Sequence, residues 1–372
     1  SGAITFGNTL NGAQTLAVNT SGVTTFTGAV GNSTALTSLT TDAGTAGSVA
    51  INGGVVNTTG AQIYGEAATL GAATTLTSTG SGAITFGSTL NGAQTLAINT
   101  SGVTTFTGAV GGSTALTSLT TDAGTAGSVA INGGVVNTTG AQIYGEAATL
   151  GAATTLTSTG SGAITFGNTL NGAQTLAVNT SGVTTFQAAV GNTTALSSIT
   201  TNAGGTLVMN GGSVTTTGAQ TYGEAITLGA DSTLSASRVT LGAAVSGAHA
   251  FAVNGAATLN GGSVNTGSAA QSYSSTVDLG TDTTLTASSV TLNGAVSGAH
   301  TFTVNGDTAI NGGSVTTGAQ SYSGAVTLGA NTWLTTTDSA VSFASTVNNA
   351  TATPRTLTIS TGSGAVTFSD AV

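Results

Sequence analysis

The residues that could do chemistry are few, and they recur. Glu66, Glu146 and Glu224 each close a Tyr-Gly-Glu triplet, where a carboxylate could hold a cation. Asp42 and Asp122 stand in Thr-Thr-Asp-Ala-Gly, a setting compatible with a calcium-binding turn. His249 and His300 fall in Gly-Ala-His, and imidazole is a common metal ligand. Each has a plainer reading. The glutamates are 80 and 78 residues apart, about four coils of a β-solenoid, whereas oxygens sharing one ion sit within ~2.6 Å of it. They read as solvated turn carboxylates. The aspartates lack the Gly-Gly-x-Gly-x-Asp nonapeptide of calcium β-rolls and read as Asx-turns. The histidines have no second His or Cys beside them. They stand where earlier repeats have Gln14, Gln94 and Gln174, as polar corner residues.

No catalytic, metal or cofactor site is therefore expected, and the chain reads as a non-enzyme. Serine is abundant, yet no Ser-His-Asp set or nucleophile elbow is present. Lyases built on β-helices work through clustered Asp, Arg and Lys, while Arg238 and Arg355 are the only Lys or Arg in the chain. So few cations also exclude nucleic acid and a polybasic membrane surface as partners. Trp333 and the tyrosines could stack on sugars. A Thr-x-Thr pair such as Thr75 and Thr77 has the form used on ice-binding faces, but no single face carries it in every coil.

What must position these residues is a repeat. Residues 1–80 return at 81–160 with three changes (Asn8 to Ser88, Val18 to Ile98, Asn32 to Gly112) and begin again at Ser161. Such copying is read before anything else. The tyrosines stand at 64, 144, 222, 273 and 322, so the spacing falls from 80 and 78 to 51 and 49. The short strand-like pieces, such as Ile4-Thr5-Phe6 and Thr24-Thr25-Phe26, alternate in character and are bounded by Gly, Asn, Ser or Asp. No helical period survives. A sandwich could not lose a third of itself and keep its core. A solenoid can, because each coil touches only its neighbours.

The fold class is thus all-β: one parallel β-helix over 1–372, with about 20–25 residues per coil and roughly 16–18 coils. Its repeats are 1–80, 81–160 and 161–238, followed by units of about 50 residues. At ~4.8 Å per strand step that is a rod on the order of 80 Å long. Phe6, with Ile4, should stack on Phe26, Leu16 and Val18 should line another wall, and Thr5 and Ala17 should face out. Tyr64 should fill the same core or corner slot in every copy. Asn52-Gly53-Gly54 should make a tight corner, with glycine supplying positive φ.

Composition agrees. Apolar residues are 39% and charged residues 3%, so the chain can bury surface and does not fit the low-hydrophobicity, high-charge pattern of disorder. A single proline suits a backbone whose NH groups are nearly all in use. The absence of cysteine fits a bacterial extracellular protein and is compatible with the cytosol. No apolar run approaches the ~18 residues a membrane span needs. Both ends read as cut from something longer.

The run Gly-Ala-Gln-Thr-Leu-Ala-Val-Asn at 12–19, with Thr-Gly-Ala-Gln-Ile-Tyr-Gly-Glu-Ala-Ala-Thr-Leu-Gly-Ala at 59–72, resembles the repeat regions of very large bacterial surface proteins. These are the filamentous-haemagglutinin-like adhesins and β-strand repeat proteins. The resemblance covers essentially the whole chain. It implies secretion, a right-handed coil, and an adhesive or matrix role. The expected function is a structural extracellular rod or fibre segment whose partners are copies of itself, lateral or end-to-end. The alternative is an adhesin shaft that binds glycan or a host surface through flat Thr/Asn-rich faces.

Overall fold

The computed structural model describes residues 2–42, 46–122 and 126–372. It is an all-β, parallel β-solenoid of about 17 turns, with no helix among the described residues. The chain divides into two compact units, Ser1–Leu196 and Ser197–Val372.

In the first unit each strand is three to six residues long apart from two two-residue pieces, and its β-branched and aromatic side chains alternate inward and outward. In Val23–Phe26, Thr24 and Phe26 are buried while Val23 is exposed. The strands pair in parallel register, one turn on the next. Phe6 pairs with Phe26, their rings stacked 5.2 Å apart at 8°. Ile4 pairs with Thr24. Leu16 and Val18 pair with Leu39 and Thr41 on a separate wall, and Thr5 and Ala17 face out.

Three walls complete each turn. One runs through Ile4–Phe6, Val23–Phe26, Ser48–Ile51, Ala67–Leu70 and Leu90–Asn91. A second runs through Thr15–Val18, Ser38–Thr41, Gln62–Tyr64, Ile84–Phe86 and Val103–Phe106. The third includes Val55–Thr58, Thr74–Ser78, Thr95–Thr100, Ser118–Thr121, Gln142–Tyr144, Ile164–Phe166 and Val183–Phe186. Partners down the first wall are Ile4, Thr24, Val49, Ala68 and Leu90, which are 20, 25, 19 and 22 residues apart.

Four turns therefore carry the first wall from Ile4 to Leu90, while the sequence copy of Ile4 is Ile84. It arrives one wall early, on the second wall between Gln62–Tyr64 and Val103–Phe106. The next copy, Ile164–Phe166, is on the third. The 80-residue repeat is thus three and two-thirds turns, not the four coils its length suggests, and successive copies spiral from wall to wall.

The second unit follows the same rule with a shorter repeat. Tyr222 lies in the column Thr201, Tyr222, Leu241, Leu259, Leu279. Tyr273 lies in Val214, Leu234, Val253, Tyr273, Leu292, Ile310. Tyr322 lies in Ile226, Val245, Val264, Leu285, Val304, Tyr322, Phe343. The three tyrosines again occupy three walls, now two and two-thirds turns apart. Shortening the repeat removed one complete turn and kept the one-wall advance, so every wall kept its inward pattern.

The Asn-Gly-Gly corners divide the work between their glycines. Gly54 has φ 71°, and its copies Gly134, Gly212, Gly262 and Gly313 lie between 70° and 74°, the left-handed region that glycine enters without strain. Gly53 is needed for closeness instead: a β-carbon there would run into the Gly28 carbonyl one turn below. The turn above is matched too, since a β-carbon on Gly71 would collide with the Asn52 amide oxygen. Asn-Gly-Gly and Thr-Leu-Gly are therefore the two halves of one corner contact.

Candidate functional site

The recurrent polar residues build the interior. Gln62, Gln142, Gln220, Gln271 and Gln320 precede the tyrosines by two residues and are all buried. Gln62 Nε2 donates to the Val56 carbonyl at 3.1 Å and to the Thr77 carbonyl at 2.9 Å, both on the neighbouring wall. Tyr64 Oη donates to Gln62 Oε1 at 3.0 Å. The amide thus ties two turns of one wall to the tyrosine of the next. The same bonds recur at Gln142 and Tyr144, and the tyrosine bond recurs at all five copies. A buried carbonyl or amide left unpaired would cost about 1–3 kcal/mol, so this motif is structural. Repetition of Gln-x-Tyr was its sequence signal. Each tyrosine is fully buried, and burial pushes its phenol well above the usual range. Tyr64 does fill a core slot in every copy, and none of the tyrosines can stack on a sugar. Trp333 is 52% exposed and can.

The glutamates correct the sequence reading. Glu66 is 3% exposed and Glu146 1% exposed, and Glu224 is buried as well, so they are not solvated turn carboxylates. The cause is the neighbouring turn. Thr41 pairs with Tyr64, so the corner that follows Tyr64 closes over the Thr41 side chain. Thr41 Oγ1 donates to Glu66 Oε2 at 2.9 Å, and Thr121 Oγ1 to Glu146 Oε2 at 2.8 Å. The other oxygen, Oε1, of both Glu66 and Glu146 is buried without a hydrogen-bond partner. Burial pushes the Glu146 carboxyl above its ordinary value, the Thr121 hydrogen bond and its own backbone pull it back, and the charge of Asp122 pushes it up again. Asp122 and Glu146, which the sequence suggested treating separately, are therefore electrostatically linked, since Asp122 follows Thr121, whose hydroxyl holds Glu146. The Asx-turns expected at Asp42 and Asp122 continue into Ala43-Gly44 and Ala123-Gly124, which lie outside the described residues.

The histidines also gain a partner from the turn below. His249 Nδ1 lies 3.5 Å from Asp231 Oδ1, and His300 Nδ1 lies 3.6 Å from Asp282 Oδ1. Those same oxygens accept from the amides of Ala250 and Thr301, at 2.9 and 2.8 Å. Both pairs are exposed corner contacts. Asn311 Nδ2 donates to Asn293 Oδ1 at 2.8 Å, a short asparagine ladder between two different motifs. The Thr-x-Thr pair is not continued: Thr75 lies between Val55 and Ala97, and Thr77 between Asn57 and Asn99.

Among the described residues, no three His, Asp or Glu side chains gather as metal ligands, and no helix is long and apolar enough to cross a membrane. No family model, no curated protein and no solved structure matches the chain.

Proposed function

We propose that the chain is a structural segment of an extracellular rod or fibre, in the manner of bacterial surface or matrix proteins, and that copies of it associate laterally or end-to-end. The observation that carries this reading is the one-wall advance of each repeat. Copies of Glu66, Tyr64 and Asn52 fall on different walls, so a residue written several times never converges on one point. Recurrent motifs are instead consumed by corners and core: Asn52, Gly53 and Gly54 at a corner, Gln62 and Tyr64 inside, Phe6 on Phe26. A chain built this way gains length, not a cleft. The outward positions are mostly Thr, Ser, Asn and Ala, and so few charges leave little repulsion between neighbouring rods.

Images of the purified chain test this. The reading expects fibres about 20–30 Å wide per rod, two to three sheet spacings. Compact particles that stay single at high concentration would contradict it. The second reading is an adhesin shaft that binds surface glycans, and exposed Trp333 favours it. A glycan array with wild type and Trp333→Ala separates the two, since a scaffold alone binds no glycan.

A further inference from the structure

We propose that Thr41, Asp42 and Glu66, and their copies Thr121, Asp122 and Glu146, each form a site for a divalent cation of the calcium type. The argument starts from charge. In the first compact unit the only charged side chains are Asp42, Glu66, Asp122 and Glu146, and it has no Lys, Arg or His. All of its charge thus lies at two places, since Asp42 and Asp122 directly follow the threonines that hydrogen-bond Glu66 and Glu146, and the unit holds no side-chain cation. An unpaired buried carboxylate is strongly disfavoured and is normally paired, coordinated to a metal or neutralised.

Burial and direction supply the second observation. Glu66 and Glu146 are buried, each with one oxygen fixed by a threonine hydroxyl and the other lacking any donor. An oxygen that no protein donor satisfies, beside a second carboxylate, is what a bound cation would complete. The available atoms are hard oxygens: two carboxylates and a threonine hydroxyl. Calcium accepts such a set and fills its remaining positions with water. Two carboxylates and several waters correspond to weak sites, with Kd on the order of 10⁻⁴–10⁻³ M. The third copy is a built-in comparison: Thr201 and Glu224 are kept in sequence, Asn202 replaces the aspartate, and Thr201 Oγ1 makes no hydrogen bond there.

The test is calorimetric titration of calcium chloride into the EDTA-treated full chain at neutral pH, with circular dichroism to confirm the fold of each variant. Saturable binding of one ion per acidic pair is expected. Glu146→Gln should remove one ion, and Glu66→Gln with Glu146→Gln should remove both. Asn202→Asp should add one, a gain that misfolding cannot mimic. Stoichiometry unchanged in the folded double variant overturns the proposal. So does the absence of saturable binding in the wild type, which would mean that a proton neutralises each pair.

Discussion

Tyr64 and Phe86 lie face to face, ring centroids 5.0 Å apart at 17°, one turn apart on one wall. They come from different copies of the repeat, and Phe86 is the sequence copy of Phe6. The aromatic column then continues to Phe106 at 5.8 Å. The arrangement recurs one wall on, where Tyr144 stacks on Phe166 at 5.0 Å and Phe166 on Phe186 at 5.8 Å. The seams that follow Tyr64 and Tyr144 are thus each joined by a tyrosine-to-phenylalanine stack, worth about 0.5–1.5 kcal/mol beyond burial.

Replacing the polar half of that seam should be felt in order of how many buried groups lose partners. Tyr64→Phe removes one hydrogen bond and is expected to cost about 1 kcal/mol. Gln62→Ala removes the amide's bonds to the Val56 and Thr77 carbonyls and leaves the tyrosine hydroxyl without its partner. It should cost several times more, about 2–5 kcal/mol. Urea midpoints of the two variants check the ranking. Equal effects would mean the amide is not the tie between walls.

The two corner glycines should respond differently to substitution. Gly54→Asn keeps a residue that tolerates φ near 70°, though its β-carbon would come within 2.8 Å of the Ala73 carbonyl, and should cost about 1–2 kcal/mol. Gly53→Ala forces a β-carbon into the Gly28 carbonyl, and the backbone must move by a cost of about 1–3 kcal/mol or more. Thermal melting of both variants gives the comparison. The opposite order would contradict the close approach.

A deletion should be tolerated when it removes a whole turn. Leu90 pairs with Val110 on the same wall, so deleting residues 90–109 joins Thr89 to a residue already in the right place. That chain should keep its circular dichroism spectrum and a cooperative melt. Deleting residues 90–99 displaces every later wall by a fraction of a turn, and should give aggregation or a broad melt. The natural change from 80-residue to 51-residue repeats is the precedent, since it too removed one turn.

Glu146 sets a pH dependence whose sign follows from its raised carboxyl. Below the ordinary glutamate range, folded and unfolded chains both carry the proton. As pH rises through that range the unfolded chain loses its proton first, and stability falls until the folded value is passed. Asp338, exposed and held low by hydrogen bonds from Ser363, works in the other direction. The quantity to measure is therefore the wild-type melting point minus that of Glu146→Gln, in EDTA, from pH 4 to pH 8. The difference should become more negative with rising pH, and a flat line would contradict the buried carboxyl.

Much of this fold could be read from residue order, and the unread part has a physical cause. Alternation in Ile4–Phe6 and Val23–Phe26 placed Phe6 over Phe26, and Asn52-Gly53-Gly54 announced a corner. The wall that each copy occupies was hidden, because turns of 19, 20, 22 and 25 residues differ only in their corners. No strand records how long its corner is. Glu66 looked like a turn residue because its environment is the side chain of Thr41, 25 residues earlier. Gln62 and its copies stand two residues before every tyrosine, but the role of the amide depends on carbonyls from two other strands.

The most direct test is disulfide formation between outward positions in a chain with no cysteine of its own. Ile63 and Thr85 are register partners on adjacent turns of one wall, within the Cα separation of ~4.4–6.8 Å that a disulfide needs. Thr5 and Thr85 are copies of each other on different walls. The Ile63→Cys, Thr85→Cys pair should oxidise readily within one chain, and the Thr5→Cys, Thr85→Cys pair should not. Efficient intramolecular closure of the second pair, with failure of the first, would contradict the one-wall advance on which this account stands.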